Sequence, residues 1–207
     1  MKIIQSVISM WLLVETLGQE NHRNLRDRRP KQPKTSSGPS LHEAWSSRIV
    51  GGTNAAAEEF PYFVLGDGCG ASLVAPDVVL SAAHCEGRFD DTVRVGSIRD
   101  DSGGQVVRTL KSEELLHPNY SDRTEENDIM LIKLQEEVDF TPVPINFDSS
   151  NPATDSNADL TVIGFGDTSE GGDQSDTLQK VVVNYVNPDD CANSYGGITE
   201  DLMLCAG

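Results

Sequence analysis

The sequence lacks three features that would point to other classes of protein: a membrane-spanning apolar run, a zinc-binding motif and a clear internal repeat. Its longest apolar run, residues 3–14, is interrupted by Gln5, Ser6 and Ser9 and is too short to span a bilayer. The chain of 207 residues has 4 Cys, and no C-x-x-C pair or Cys/His cluster in it has zinc-ligand spacing. No internal repeat is strong enough to indicate a repeat architecture. The length suits one large domain or two small ones and is ample for a core.

Positive charge is scarce beyond residue 48. Residues 1–48 hold 8 Lys and Arg against 4 Asp and Glu, a net charge of +4, whereas residues 49–207 hold 8 against 29, a net charge of −21. Such an acidic body repels nucleic acid and anionic membranes, and it favours solubility. We therefore expect neither nucleic acid nor a membrane surface as a partner of the body.

The first 18 residues have the pattern of a secretory signal peptide. Lys2 supplies a positive start, a mostly apolar run follows, and Thr16 and Gly18 place small residues at the positions that define cleavage. An N-terminal membrane anchor is the alternative. The signal pattern predicts a secreted, extracellular protein that has no membrane attachment once the signal is removed.

The cysteines, at positions 69, 85, 191 and 205, fit a secreted chain. Secretion favours disulfides because the extracellular compartment is oxidising. An even count suggests two disulfides, but four cysteines allow three pairings, and the count alone leaves all three open. Four free buried thiols are the alternative for a chain that stays in a reducing compartment.

Residues 19–48 form a polar, basic segment that is rich in Arg, Lys, Pro and Ser and cannot bury an apolar face. We predict a flexible pro-segment, with an arm for nucleic acid or heparin as the alternative that its charge allows. The segment ends at Arg48-Ile49-Val50-Gly51-Gly52, where cleavage after Arg48 by a trypsin-like protease would release an apolar N-terminus at Ile49. The two glycines would let this new end swing and insert. A plain junction between linker and domain is the simpler interpretation.

Short apolar runs separated by turn residues fill the chain from Phe60 onward. The candidate strands are residues 62–65, 71–74, 78–81, 92–95, 105–110, 129–134, 160–164 and 178–185. Many short strands at this spacing predict an all-β barrel or sandwich. A short helix is predicted at Asn187-Pro188-Asp189-Asp190, which combines an N-cap residue, a proline in the first turn and acids near the positive end of the helix.

Two segments carry residues suited to acid–base chemistry. Leu80-Ser81-Ala82-Ala83-His84-Cys85 presents a histidine at the end of a short strand, beside a cysteine that would fix the turn if oxidised. A general base needs such rigid placement because a small displacement loses much of the rate. Asp128 precedes an apolar strand, where its carboxylate could accept a hydrogen bond from His84 Nδ1–H and stabilise the imidazolium. Taken singly, each residue is better explained as an ordinary structural one.

Taken together, five motifs resemble the trypsin/chymotrypsin-like serine proteases (peptidase S1 family) in order and spacing. They are Arg48-Ile49-Val50-Gly51-Gly52; Cys69-Gly70-Ala71-Ser72-Leu73-Val74 with Leu80-Ser81-Ala82-Ala83-His84-Cys85; His117-Pro118-Asn119-Tyr120 with Asn127-Asp128-Ile129-Met130-Leu131; Val162-Ile163-Gly164-Phe165-Gly166-Asp167-Thr168; and Met203-Leu204-Cys205-Ala206-Gly207. The resemblance covers residues 48–207. It departs from the family at Phe165, where Trp is usual.

The resemblance implies an all-β fold, a trypsin-like double Greek-key β-barrel. The first barrel would occupy about residues 49–145, and a partial, incomplete second barrel about residues 158–207. It also implies the disulfides Cys69–Cys85 and Cys191–Cys205, the first of which would lock the His84 turn. Each would close a loop of about 15 residues, a contribution of about 3 kcal/mol in the chain-entropy model.

The resemblance also implies a function, the hydrolysis of peptide bonds by a His/Asp/Ser triad. His84 would be the general base and Asp128 its orienting partner, with activation by cleavage between Arg48 and Ile49. The expected partners are a protein or peptide substrate and an activating protease that recognises Arg48. No cofactor and no metal is expected.

The family order of His, Asp and Ser places the serine about 90 residues after Asp128, which is beyond Gly207. Ser102, in Asp101-Ser102-Gly103-Gly104, looks like the nucleophile motif, but it precedes Asp128 and lies on a predicted turn of the first barrel. We therefore expect a zymogen fragment that ends before its nucleophile and has no serine-protease activity by itself. A non-catalytic secreted homologue with a binding or regulatory role is the alternative.

One modification is predicted from a short motif. Asn119-Tyr120-Ser121 is an N-glycosylation sequon on a predicted surface loop, so a secreted chain is able to carry a glycan on Asn119. The acidic pairs Glu125-Glu126 and Asp100-Asp101 could bind Ca²⁺ weakly, but a solvated acidic face explains them better. No metal site is predicted.

Overall fold

The structure is a computed structural model that describes residues 2–5, 49, 51–89, 91–148, 158–168, 173–195 and 202–207. All of them lie in one structural unit, Met1–Val7 with Ser47–Gly207. The predicted pro-segment with Arg48, and the predicted signal peptide apart from residues 2–5, lie outside the described residues. Within the described part of the chain, no helix has the length and apolar character needed to cross a membrane.

Strands dominate the described residues, as the spacing of the apolar runs predicts. In chain order they are β1 Lys2–Gln5, β2 Thr53–Asn54, β3 Phe63–Leu65, β4 Gly70–Ala75, β5 Val78–Ser81, β6 Thr92–Val95, β7 Gln105–Leu116, β8 Met130–Leu134, β9 Asp159–Gly164, β10 Gln179–Val186 and β11 Met203–Ala206. Within the described ranges, the helical elements are a 3-10 turn at Ala83–Cys85 and helix α1 at Pro188–Tyr195. The prediction of an all-β fold is confirmed.

Six strands close the first barrel in the order β3-β4-β5-β8-β7-β6, and every neighbouring pair is antiparallel. In β8, Met130, Ile132 and Leu134 point into the barrel, while the two residues between them are half-buried. This alternation arises because successive side chains of a strand point to opposite faces. Each fully buried side chain of this size stabilises the fold by about 1.5–3 kcal/mol.

In the second sheet, β10 pairs with β2, β9 and β11. Among the described strands, this sheet does not close into a barrel. Its hydrogen-bonded order is β1-β11-β10-β2, and β9 pairs with β10 along its length. β1 pairs antiparallel with β11, from Lys2 opposite Ala206 to Gln5 opposite Met203. The prediction of an incomplete second barrel is confirmed. The assignment of residues 1–18 as a signal peptide stays a prediction.

Helix α1 and strand β7 show how closely the local sequence patterns predicted the bounds of the observed elements. Helix α1 begins where it was predicted, and the Asn187 side chain caps it by accepting a hydrogen bond from the Asp190 N–H at 3.0 Å. Strand β7 is longer than the predicted strand 105–110. Its pairing with β8 shifts register between Thr109 and Glu114, so the strand continues through a polar stretch that interrupts the apolar pattern.

The barrel and the second sheet meet at a second, smaller apolar cluster. Phe63 of β3 and Phe165, the residue that replaces the usual Trp, are both buried there with ring centroids 5.7 Å apart. In the same cluster, the Leu178 N–H donates a hydrogen bond to the Ile98 carbonyl, and close to it in sequence the Arg99 guanidinium contacts Asp176 at 3.1 Å. The segment before β10 is thereby anchored to the first barrel.

Candidate active site

His84 and Asp128 come together at the end of two barrel strands although 44 residues separate them. The Asp128 Oδ2 atom lies 2.7 Å from His84 Nδ1, and Asp128 Oδ1 accepts a hydrogen bond of 2.7 Å from the His84 backbone N–H. Asp128 is only 8% exposed, whereas the His84 side chain is 45% exposed. A buried carboxylate thus supports an imidazole that solvent or a substrate can reach.

The sheet brings this pair together. β5 and β8 are neighbours in the barrel, and their register places Ser81 opposite Met130. His84 follows Ser81 by one short turn, and Asp128 stands two residues before Met130. Both functional side chains therefore leave the same end of adjacent strands, where they are within hydrogen-bonding distance.

A disulfide holds the turn that carries His84. Cys69, just before β4, is bonded to Cys85, with the two Cα atoms 6.3 Å apart. Ala83 and Cys85 are buried on either side of His84, so the 3-10 turn is fixed by packing as well as by the cross-link. The second disulfide joins Cys191 of α1 to Cys205 of β11. These are the two pairs that the resemblance implies.

The surroundings of His84 favour its protonated form. The hydrogen bond to Asp128 raises the pKa of His84 above its ordinary value, burial of the ring opposes this rise, and the negative charges of Asp128 and Glu125 add to it. Burial also raises the pKa of the Tyr120 phenol, with smaller contributions from carboxylates that include Asp128. The site therefore stabilises an imidazolium beside a buried carboxylate, as a base that must hold a proton briefly requires.

The other predicted residues lie apart from this pair. Ser102 is exposed on the turn before β7, and its hydroxyl donates to the neighbouring Asp101 carboxylate at 2.8 Å. Ile49 is buried, and its backbone N–H donates to the Asp167 carbonyl at 2.8 Å. Asn119 is exposed on the loop between β7 and β8.

The site residues do not form a metal centre in their present bonding. The ligand atoms of Cys69, His84 and Cys85 lie within 4.8 Å of one another. Both sulfur atoms are engaged in the disulfide, however, and a metal needs free thiolates. The chemistry that these side chains offer is proton transfer by His84.

A cavity of about 400 Å³ lies between the first barrel and the second sheet. Its walls include Phe63, Gly70 and Cys69 on the barrel side and Ile163 and Phe165 on the other. Neither member of the histidine–carboxylate pair lines it. The cavity therefore borders the disulfide beside the site rather than the site itself.

Two further residues lie next to this pair and were not predicted as site residues. Glu125 contributes negative charge toward His84, and Asn127 directly precedes Asp128. Both have a backbone φ of +55°, in the left-handed region. The sequence offered a signal for Asn127 only, because Asn tolerates positive φ far better than most residues.

The closed barrel, the open second sheet and the disulfide-bound turn with its His–Asp pair define the class of β-barrel serine proteases. Within this class the family is trypsin: the family model described as Trypsin matches residues 49–207, and the chain belongs to this family.

Named relatives agree with this assignment. The chain is 34% identical over 175 residues to Trypsin 5G1 of Aedes aegypti, covering 78% of this chain and 65% of that protein. It is 35% identical over 168 residues to Trypsin of Saccharopolyspora erythraea, covering 77% and 73%. A solved structure titled Structure of GrC superposes with a TM-score of 0.66 at 28% identity, covering 77% of this chain and 75% of that one. The chain spans about two thirds of the length of Trypsin 5G1.

Proposed function

We propose that this chain is part of a secreted serine endopeptidase zymogen in which His84 is the general base and Asp128 orients it. The observation that carries the proposal is the double contact between them, 2.7 Å from Asp128 Oδ2 to His84 Nδ1 and 2.7 Å from Oδ1 to the His84 N–H. Membership of the trypsin family supports the reaction class, hydrolysis of peptide bonds in protein or peptide substrates.

The geometry supports different roles for the His84 and Asp128 side chains. With Nδ1–H donated to Asp128, the tautomer is fixed and Nε2 carries the lone pair that accepts a proton from the nucleophile hydroxyl. The negative Asp128 carboxylate stabilises the imidazolium that results. His84 then returns the proton to the leaving amine, so it acts first as base and then as acid.

The nucleophile of the proposed triad is a serine that follows Gly207. By resemblance, the oxyanion hole and the P1 pocket belong to that part of the fold as well. The 207-residue chain is accordingly proposed to be inactive by itself. Ser102 is not proposed as the nucleophile, because it precedes Asp128 in the chain and lies on the turn between β6 and β7, where its hydroxyl donates to Asp101.

Activation is proposed to occur by cleavage after Arg48, by a protease that recognises a basic residue. Two glycines support this, since Gly51 has a φ of +79° and Gly52 packs so closely on Ile49 that a Cβ would lie 2.7 Å from its side chain. A side chain at Gly51 would disfavour its positive φ, and one at Gly52 would collide with Ile49, so the chain next to the proposed new N-terminus depends on both glycines.

Secretion is proposed from the signal-like residues 1–18 and the two disulfides, which persist in an oxidising compartment. No nucleic acid and, after signal removal, no membrane is proposed as a partner, since the body carries strong negative charge. A glycan on Asn119 would stand on the exposed loop that leads to Asp128.

The test is to express the protein with the native sequence that follows Gly207, cleave it after Arg48, and treat it with a fluorophosphonate probe and a peptide substrate. We expect labelling and hydrolysis, both lost in H84A, and no labelling of the 207-residue chain. Labelling that needs cleavage but survives H84A would overturn the role of His84. A folded, cleaved protein that never labels would instead favour the alternative, a non-catalytic secreted homologue that binds or regulates.

A further inference from the structure

We propose that Asn127 is a positioning residue that aims the Asp128 carboxylate at His84. Asn127 makes no hydrogen bond to His84 in the structure, so its effect is exerted through its neighbour. The meaning of this inference for catalysis rests on the proposed function. Its structural part concerns the His84–Asp128 contact alone and can be tested without enzymatic activity.

The first observation is the backbone around Asp128. Asn127 has a φ of +55°, and the Ile129 N–H donates to the Asn127 carbonyl at 2.8 Å, which closes a three-residue turn centred on Asp128. The left-handed region costs most residues about 1–2 kcal/mol, and Asn is among the few that enter it readily. The conformation of Asn127 therefore sets the direction in which the next side chain leaves the chain.

The second observation is a cross-link made by the Asn127 side chain. Its Nδ2 atom donates to the Asn119 carbonyl at 3.1 Å and so ties the end of the loop to its beginning. The backbone bond from the His117 N–H to the Ile129 carbonyl, at 2.9 Å, closes the same loop nearby. Asn127 is thus held at both its backbone and its side chain, which fixes its unusual φ.

The third observation is how little freedom the Asp128 carboxylate has. Both of its oxygens are bonded to one residue, His84, each at 2.7 Å, and it is buried. Hydrogen bonds of this kind weaken steeply once the distance and angle depart from their optimum. A change of direction at Asn127 would therefore loosen the backbone contact and the ring contact together.

Three variants of the 207-residue chain, with its disulfides formed, separate these contributions. N127A removes the amide and disfavours positive φ, whereas N127G removes the amide but adopts positive φ without strain. N119Q is the matched control in protein made without glycosylation, because Asn119 contributes its backbone carbonyl to the cross-link and not its side chain. The readouts are the low-field NMR signal of the proton on His84 Nδ1 and the pKa of His84, assigned by comparison with H84A.

We expect N127A to broaden or lose the Nδ1 proton signal and to lower the pKa of His84 toward its ordinary value. We expect N127G to cause a smaller change in the same direction and N119Q to cause none. A folded N127A with both readouts unchanged overturns the proposal. If N127A does not fold, N127G decides, and unchanged readouts in N127G overturn the role of the side chain.

Activity adds a second readout in the longer, activated protein. There N127A should lower kcat by about 100-fold, the loss associated with a misplaced catalytic group, while KM changes little. If the wild-type protein shows no activity, the proposed function fails. The NMR readouts would still test whether Asn127 positions Asp128 against His84.

Discussion

Asp128 holds His84 by both of its carboxylate oxygens, one on the backbone N–H and one on the ring Nδ1, each at 2.7 Å. A single contact would allow the ring to rotate about the bond, whereas two contacts fix both the position of the turn and the orientation of the imidazole. The disulfide from Cys85 to Cys69 restrains the same turn from the other side. The accessible histidine is therefore constrained by two hydrogen bonds and by a disulfide at the next residue.

Replacement of Asp128 should release His84. D128N removes the charge and the acceptor that faces Nδ1, so we expect the pKa of His84 to fall and its Nδ1 proton to exchange faster. D128A should also lower the free energy of unfolding by about 1–3 kcal/mol, since the His84 N–H loses its partner. NMR titration and urea denaturation measure the two effects, and an unchanged His84 pKa in D128N contradicts the model of the site. D122N, a carboxylate on the exposed part of the same loop, is the control.

Stability should depend on pH through His84. Its pKa in the folded state is raised above the unfolded value, so the folded protein binds this proton more tightly. The stabilisation is fully present below the unfolded pKa of about 6.5 and is lost as pH rises through the folded pKa. Urea denaturation of wild type and H84Q across this window should give a difference in free energy of unfolding that declines as pH rises. A flat difference would show that the histidine titrates equally in both states.

The two disulfides should contribute alike to stability but differently to the site. Their sequence separations are 16 and 14, so removing either by paired Cys→Ala changes should lower the free energy of unfolding by about 3 kcal/mol. Only the Cys69/Cys85 variant should broaden the His84 Nδ1 proton signal. Equal disturbance of that signal by the Cys191/Cys205 variant would mean that the first disulfide has no special relation to the turn.

Two glycines with similar backbone angles should differ in their tolerance of a side chain. Gly96 has a φ of +71°, and a Cβ there would lie 2.3 Å from the Phe140 ring, whereas Gly68 has a φ of +73° and open space around the added atom. G68A should cost about 1–2 kcal/mol from backbone strain alone, and G96A about 1–3 kcal/mol more from overpacking. Denaturant unfolding of the two variants measures the difference. Equal losses would rule out the contact with Phe140 as its cause.

Much of the fold could be predicted from local patterns. The apolar run around Ile132 predicted a strand, because a short apolar run between turn residues is typical of a buried strand. The sequence at Asn187 predicted the start of α1, since its capping chemistry is local. Strands β1 and β2 were not predicted, because Lys2–Gln5 and Thr53–Asn54 are short and their extended form depends on partners distant in sequence.

The sequence by itself determined the family motifs, the order of the strands and the residue types of the site. Residue by residue, the sequence offered His84 and Asp128 only as separate candidates. The resemblance of the surrounding motifs to a known family indicated that the two residues belong to one site. The tertiary structure decided their distance, because β5 and β8 become neighbours only when the barrel closes. It also decided the role proposed for Asn127, whose φ of +55° and bond to the Asn119 carbonyl exist only in the folded loop. The sequence determines which side chains are present and which local turns they favour. A contact between residues 44 positions apart, however, requires the pairing of strands that the whole core stabilises.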